Sequence, residues 1–215
     1  MRLPGVMSFL ALLVAVAALS APANAALESG KEYTLVNPPL ATETGKNIEV
    51  VEYFWYGCPH CYDLESTMVS YARTLPKDVT FRRVPGILRD SWAPNAKAYY
   101  TLEVLGLLGK LHQEVFDAIH RDKVNLDDEN TLFDWVAKRG VDRKKFAEAY
   151  NSFAVQSKVL KAKQISRMSG ISGVPAVIVD GKYLITVGMA GTPGKFLKAL
   201  DELVSMARRD RAAGK

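Results

Sequence analysis

The sequence predicts an α/β fold that is interrupted by an inserted all-helical domain. The first part of the chain has a strand, a helix and a second strand in succession, the middle has helical patterns only, and the last part returns to two strands and a helix. A run of helices within an α/β pattern is typical of an insertion. The expected segments are a signal peptide (1–25), the first part of the α/β domain (26–88), the inserted helices (89–162) and the second part of the α/β domain (163–215).

The first α/β unit has a strongly apolar central strand. Residues 48–55 are rich in β-branched and aromatic side chains, which predicts a strand buried on both faces. From Cys58 the apolar residues recur every three or four positions, which predicts a helix that ends before Pro76. Residues 79–84 then predict a second strand, and residues 33–36 a short edge strand.

The middle of the chain predicts four helices and a fifth that returns to the first domain. The expected ranges are 94–108, 111–120, 127–139, 142–153 and, for the returning helix, 158–169. After them, residues 177–179 and 183–185 predict a β-hairpin around Asp180-Gly181. Thr192 is the expected N-cap of the last helix, with Pro193 at its first position.

The N-terminal residues have the pattern of a cleavable secretory signal. Arg2 precedes an apolar run over residues 6–19, and Ala23-Asn24-Ala25 matches the small-x-small cleavage pattern. The alternative is a membrane anchor, but the run is shorter than the roughly 20 residues that a spanning helix needs. Cleavage after Ala25 leaves 190 residues. Export places the cysteines in an oxidising compartment, where disulfides form and persist.

The charge does not indicate a nucleic-acid partner. The formal net charge is +5, and basic residues are concentrated in residues 139–163 and 195–215. Such runs on helices are most often solvated faces. Because the sequence contains no nucleic-acid-binding motif, we expect no nucleic-acid partner.

The only two cysteines, Cys58 and Cys61, lie three residues apart at the start of the first predicted helix. A thiolate on the first turn of a helix faces unpaired backbone N–H groups and the positive end of the helix dipole. His60, in the intervening Pro59-His60 dipeptide, can add a hydrogen bond or a positive charge. These effects stabilise the reduced pair relative to its disulfide, so the motif predicts a protein that donates disulfides.

Three other kinds of site share this cysteine spacing. A haem c attachment site requires His directly after the second cysteine, and Tyr62 stands there. A zinc site would need two further ligands, which only His112, His120 and distant carboxylates could supply. A structural disulfide would close too small a loop to stabilise the fold much. Haem attachment is excluded, and the other two remain alternatives at this stage.

Val174-Pro175 is the expected second half of the site. A proline at the start of a strand is commonly trans, but a cis bond here would expose the backbone of Val174 beside Cys58. An extended peptide could pair with that backbone, which would allow recognition without reading the peptide sequence.

Glu52 is an acidic side chain that departs from its apolar surroundings in the central strand. On a surface strand it would face solvent, but in a strand buried on both faces its carboxyl would hold a proton more readily. It could then exchange a proton with Cys61. Arg83 on the next strand is a possible partner of Glu52, although a solvated charge is the ordinary expectation, and His112 and His120 are expected on helical surfaces.

The chain resembles the DsbA family, the exported thiol:disulfide oxidoreductases of bacteria. The matching residues are Val51 to Phe54 before Cys58 to Tyr62, then Gly173 to Ala176, then Asp180 to Tyr183. The resemblance implies a thioredoxin-like fold with an inserted helical domain, an exposed nucleophile Cys58, a buried resolving thiol Cys61, and His60 as stabiliser of the thiolate. It also implies Glu52 as the buried acid and Val174-Pro175 as the cis loop.

These observations predict a periplasmic, monomeric dithiol oxidase that donates its Cys58-Cys61 disulfide to reduced, unfolded exported proteins through a mixed disulfide. No other cofactor is expected, and the resemblance implies reoxidation by a quinone-linked membrane partner of the DsbB type. The rivals are a reductase or isomerase, which a dipeptide without His60 would favour, and a peptide-binding chaperone whose cysteines are incidental.

Overall fold

The fold was obtained as a computed structural model, and it describes residues 27–214. The predicted signal peptide lies outside the described residues. Within the described range no helix is long and apolar enough to cross a membrane.

A mixed five-stranded sheet forms the centre of the α/β part. Its strands are β1 (Thr34–Leu35), β2 (Ile48–Phe54), β3 (Val79–Pro85), β4 (Ala176–Val179) and β5 (Tyr183–Thr186). Their order is β1-β5-β4-β2-β3, with β2 parallel to β3 and antiparallel to β4. Every residue of β2 is buried, which confirms the prediction of a central strand with two apolar faces.

Within residues 27–214, eight α-helices surround the sheet or pack together beside it. They are α1 (Pro59–Thr74), α2 (Ala93–Val104), α3 (Leu108–His120), α4 (Glu129–Ala137), α5 (Arg143–Tyr150), α6 (Phe153–Met168), α7 (Val187–Ala190) and α8 (Pro193–Ala212). Helices α2 to α6 lie between β3 and β4 in the chain, so the predicted α/β fold with inserted helices is confirmed. Thr192 caps α8 as expected, accepting a hydrogen bond from the backbone N–H of Lys195.

Several helix boundaries differ from the prediction by a few residues, and two of these differences have a clear local reason. The helix expected over 94–108 ends at Val104, because Gly106 adopts a φ of +69° that helical backbone does not have. Helix α6 begins at Phe153 rather than at Lys158, because the Ser152 side chain caps it by accepting from the N–H of Val155. This one helix crosses the predicted boundary between residues 162 and 163, so the exact limits of the insertion stay a prediction.

The buried side chains form two cores on either side of β2. One core joins Ile48 and Val50 to apolar residues of α1 and α8. The other contains Val51 and Tyr53 and continues through both cysteines into the inserted helices. The cysteine pair therefore lies where the α/β part meets the insertion.

Candidate active site

Both cysteines lie at the N-terminus of α1 as free thiols. Cys58 is the N-cap with an extended backbone, and Pro59 is the first helical residue, where its missing N–H costs nothing. The side chains of Pro59 and His60 are exposed. Cys58 keeps 7% of its surface exposed and Cys61 keeps 1%. The order of exposure is the expected one, but Cys58 is more covered than the family resemblance implied.

The two thiols have opposite proton affinities. The pKa of Cys58 is lowered to about 6, chiefly because the Cys61 thiol donates a hydrogen bond to its sulfur. The backbone N–H groups of Cys61 and His60 and the charge of His60 lower this pKa further, while burial opposes them. The pKa of Cys61 is raised, first by burial and then by its interactions with Cys58. At neutral pH the thiolate therefore belongs on Cys58 and the proton on Cys61.

The Val174–Pro175 loop lies against Cys58. Its peptide bond is cis, as expected. The protonated Cys58 thiol donates to the carbonyl oxygen of Val174 at 3.4 Å, so the backbone of this loop is beside the reactive sulfur. Behind the loop, Gly86 leaves room for the Val174 side chain, because a Cβ on Gly86 would lie 2.9 Å from Val174 Cγ1.

A cavity of about 470 Å³ opens next to the cysteine pair. The residues around it include His60, Leu64, Val174, Pro175, Val187 and Pro193. The cavity therefore joins the start of α1 to the Val174–Pro175 loop and offers a mainly apolar surface within reach of Cys58.

Gly57 has a local reason to lack a side chain. A Cβ at this position would lie 2.3 to 2.7 Å from ring atoms of Trp55. The Trp55 ring also stacks on Trp92, with ring centroids 4.4 Å apart and planes 4° from parallel. A bulkier residue at position 57 would therefore displace this aromatic pair at the edge of the site.

Glu52 is buried and paired. Only 1% of its surface is exposed, and burial raises its carboxyl pKa to about 7, although Arg83 lowers it. Arg83 Nε donates to Glu52 Oε2 at 2.9 Å, and Arg83 NH2 donates to both oxygens of Glu65 at 3.0 and 3.1 Å. The expectation of a solvated Arg83 is wrong, because two buried carboxylates hold its guanidinium. The charge of Glu52 contributes to the raised pKa of Cys61.

The expectation that His112 lies on a helical surface is also wrong. Its ring is buried, its Nδ1 is 2.7 Å from the hydroxyl of Tyr56, and its Nε2 is 3.5 Å from Glu65. His120 is half-buried and bonds the carbonyl oxygen of Tyr56 at 2.7 Å. Burial lowers the pKa of His112, with Glu65 acting against it.

Sequence reasoning overlooked Glu65, Tyr56 and the role of His112 in this network. One signal for Glu65 was available, because it lies four residues after Cys61 and three before Met68, on the buried stripe of α1. A carboxylate on such a stripe needs a buried partner. Nothing in the local sequence of α3 indicates that His112 would supply a contact.

The candidate metal site has no support among the described residues. They contain no cluster of three or more histidine, cysteine or acidic side chains that could hold a metal ion. His112 and His120, which sequence alone left open as ligands, contact Tyr56 instead.

Comparisons with known proteins identify the relatives of this chain. The profile of the DSBA-like thioredoxin domain matches residues 79–200, which begin after the cysteine pair. The thiol:disulfide interchange protein DsbA of Pseudomonas aeruginosa is 40% identical over 187 residues, covering 87% of each chain. The protein of the same name from Pseudomonas syringae is 38% identical over 197 residues, covering 92% of this chain and 91% of the relative.

Solved structures extend the likeness to the whole fold. The crystal structure of Pseudomonas aeruginosa DsbA superposes with a TM-score of 0.82 at 40% identity, covering 88% of this chain and 97% of that one. Oxidoreductase DsbA from Xylella fastidiosa gives a TM-score of 0.79 at 29% identity, covering 85% and 98%. The thioredoxin-like fold with an inserted helical domain is thereby confirmed.

Proposed function

Because the chain belongs to the DsbA family of thiol:disulfide oxidoreductases, we propose that it is a dithiol oxidase of the periplasm. The observation that carries this proposal is the position of Cys58 as the N-cap of α1, where a hydrogen bond from Cys61 and the N–H groups of the first turn stabilise its thiolate. Its substrates are reduced, unfolded exported proteins that contain pairs of cysteines.

The direction of the reaction follows from this stabilisation. A thiolate whose pKa is lowered from 9.0 to about 6 favours the reduced protein by roughly 4 kcal/mol at a pH above both values. For a two-electron couple, that free energy corresponds to about 90 mV of extra oxidising potential. The disulfide is therefore readily given up to a substrate.

The exchange takes two steps. A substrate thiolate attacks Cys58 Sγ, the Cys58–Cys61 bond breaks, and its electron pair leaves on Cys61. A second substrate thiolate then attacks the substrate sulfur of the mixed disulfide, which releases Cys58 as a thiolate. The substrate has lost two electrons and now contains a disulfide. The protein has gained these two electrons, and its Cys58/Cys61 pair is reduced.

Glu52 supplies the proton that Cys61 needs in the first step. Its pKa of about 7 means that it holds a proton for part of the time at neutral pH. Because burial disfavours a Cys61 thiolate, transfer of that proton stabilises the leaving group. Glu52→Gln should therefore remove an inflection near pH 7 from the rate of mixed-disulfide formation.

The Val174–Pro175 loop and the adjoining cavity hold the substrate chain. The Val174 carbonyl beside Cys58 can accept a hydrogen bond from an extended peptide, and the apolar surface around Leu64 and Val187 can cover its side chains. Backbone pairing of this kind suits an enzyme that acts on many unfolded sequences.

The cycle is completed outside this chain. We assign export to the N-terminal signal and reoxidation to a quinone-linked membrane partner of the DsbB type, both on the pattern of the family. The reactive disulfide itself is the only redox group that this scheme requires, and the protein acts as a monomer.

A peptide assay tests the proposal. The oxidised protein is mixed with a peptide that carries two cysteines, and we expect one peptide disulfide for each reduced Cys58/Cys61 pair. A matched peptide with one cysteine should give a mixed disulfide on Cys58, located by mass spectrometry, and Cys58→Ala should abolish it. An adduct on Cys61, or a peptide that stays reduced, contradicts the proposal.

A further inference from the structure

His112 is a buried polar side chain that the exchange mechanism does not use. It lies among aromatic rings, with the ring centroids of Phe54, Tyr99 and Phe116 between 5.3 and 5.8 Å from its own. Its Nε2 is buried and has no hydrogen-bond partner among the described residues. A buried polar atom without a hydrogen-bond partner destabilises the fold, so another favourable interaction must offset this cost.

The tautomer of His112 follows from its contact with Tyr56. Burial raises the phenol pKa of Tyr56 well above its ordinary value, so this hydroxyl keeps its proton and donates to His112 Nδ1 at 2.7 Å. Since burial also lowers the pKa of His112, the imidazole is neutral. A neutral ring that accepts at Nδ1 carries its hydrogen on Nε2.

That Nε2–H lies 3.5 Å from Glu65 Oε1. The distance is longer than an ordinary hydrogen bond, so the contact is an electrostatic one between the N–H dipole and the carboxylate. Glu65 also receives two contacts from the guanidinium of Arg83, at 3.0 and 3.1 Å, whereas Glu52 receives a single contact at 2.9 Å.

The network thus holds one cation for two buried carboxylates. Glu52 and Glu65 expose 1% and 2% of their surfaces. Two buried carboxylates that share one guanidinium favour a state in which one of them is protonated. The titratable and charged groups that face His112 are Tyr56 after β2, Glu65 on α1, Arg83 on β3 and Tyr99 on α2. Of the two carboxylates, Glu65 is the one that the Nε2–H of His112 contacts, so His112 favours negative charge on Glu65.

We propose that His112 is a positioning residue that directs the proton shared by the two carboxylates to Glu52. Its Nε2–H adds to the contacts of Glu65, so Glu65 keeps the negative charge and pairs with Arg83, and Glu52 is left to hold the proton. The inference rests on the proposed function in one respect, namely that Glu52 is the proton store for Cys61. The tautomer set by Tyr56 is what aims the N–H at Glu65.

The test is a carboxyl NMR titration of the full-length mature protein in its reduced form. In the wild type, the side-chain carbonyl of Glu52 should titrate near pH 7. In His112→Phe, which keeps a ring in the aromatic cage, we expect the Glu52 midpoint to fall by about one pH unit, a tenfold loss of proton affinity.

His112→Gln is the matched variant, because its side-chain amide can present an N–H to Glu65. It should keep the wild-type midpoint of Glu52. The proposal is supported if the Glu52 midpoint falls in His112→Phe and keeps its wild-type value in His112→Gln. It is overturned if the midpoint is unchanged in His112→Phe, or if it falls equally in both variants.

Tyr56→Phe provides the same test if His112→Phe does not fold. Without the phenol, Nδ1 can carry the hydrogen, fewer molecules present Nε2–H to Glu65, and the Glu52 midpoint should fall. An unchanged midpoint in this variant overturns the proposal. The redox potential of the wild-type protein is measured separately, because a reducing potential would contradict the proposed function without altering the location of the proton.

Discussion

Cys58 and Cys61 are two residues of one type whose surroundings give them opposite roles. Cys58 is the N-cap of α1 and receives a hydrogen bond from Cys61, whereas Cys61 is almost fully buried. The hydrogen bond between the two cysteine side chains lowers the pKa of Cys58 and raises the pKa of Cys61. The position of each cysteine on α1 therefore makes Cys58 the nucleophile and Cys61 the resolving thiol.

We expect the Cys58 thiolate to form with a midpoint of about pH 6. The ultraviolet absorbance of the thiolate, followed against pH in the reduced protein, measures this directly, and Cys58→Ala supplies the background. A midpoint near the roughly 8.5 of a free cysteine would refute the electrostatic account of the site.

Two substitutions of His60 separate its backbone from its side chain. His60→Ser removes the charge and keeps the backbone N–H, whereas His60→Pro removes both, and the N–H has the larger effect on the Cys58 pKa. We expect the potential to fall by roughly 20 mV in His60→Ser and by up to about 60 mV in His60→Pro. Equilibration with glutathione measures both, and equal potentials in the two variants would show that the N–H has no part.

At the scale of elements, the residue that follows β3 packs against the Val174–Pro175 loop and so helps to place this loop beside the cysteines at the start of α1. Gly86, just after β3, donates its N–H to the carbonyl of Phe54 at 2.7 Å and leaves space for Val174. The position of the loop beside Cys58 therefore depends on a residue without a side chain.

Gly86→Ala should destabilise the protein by about 1 to 3 kcal/mol, because its Cβ would lie 2.9 Å from Val174 Cγ1. Val174→Ala removes that atom. In a double-mutant cycle measured by denaturant unfolding, adding Gly86→Ala to Val174→Ala should cost much less than adding it to the wild type. Additive costs would mean that Gly86 is needed for some other reason.

The individual elements could be predicted from the sequence more completely than the contacts between them. The strands and the first helix could be predicted because apolar periodicity is local, and the cysteine pair because it lies at a strand-to-helix turn. Glu65 and His112 could not be brought together from sequence, because their contact depends on how α3 packs against α1. Arg83 is paired with Glu52, which the sequence left open as a possibility, and with Glu65, which it did not indicate, because both partners lie on other elements.

At the scale of the whole molecule, the lowered Cys58 pKa couples the redox state to stability. A depressed pKa in the folded protein contributes stability that is present above the unfolded value, roughly 8.5, and is lost as the pH falls through about 6. Only the reduced protein has this contribution. The raised Glu52 pKa acts on both redox forms and largely cancels between them.

The free energy of unfolding of the reduced protein should therefore fall relative to that of the oxidised protein as the pH is lowered from about 8 to about 5. The expected change is about 2 to 3 kcal/mol. Urea unfolding of both forms at several pH values measures it. A difference that is independent of pH would show that the Cys58 thiolate does not stabilise the fold.

The redox potential of the Cys58/Cys61 pair tests the central claim most directly. The protein is equilibrated with glutathione buffers of known ratio, and the reduced fraction is read from thiol alkylation, with Cys58→Ala as the blank. A dithiol oxidase should show a potential more positive than the roughly −180 mV of protein disulfide isomerase. A value near the roughly −270 mV of thioredoxin would make the protein a reductase and contradict the account.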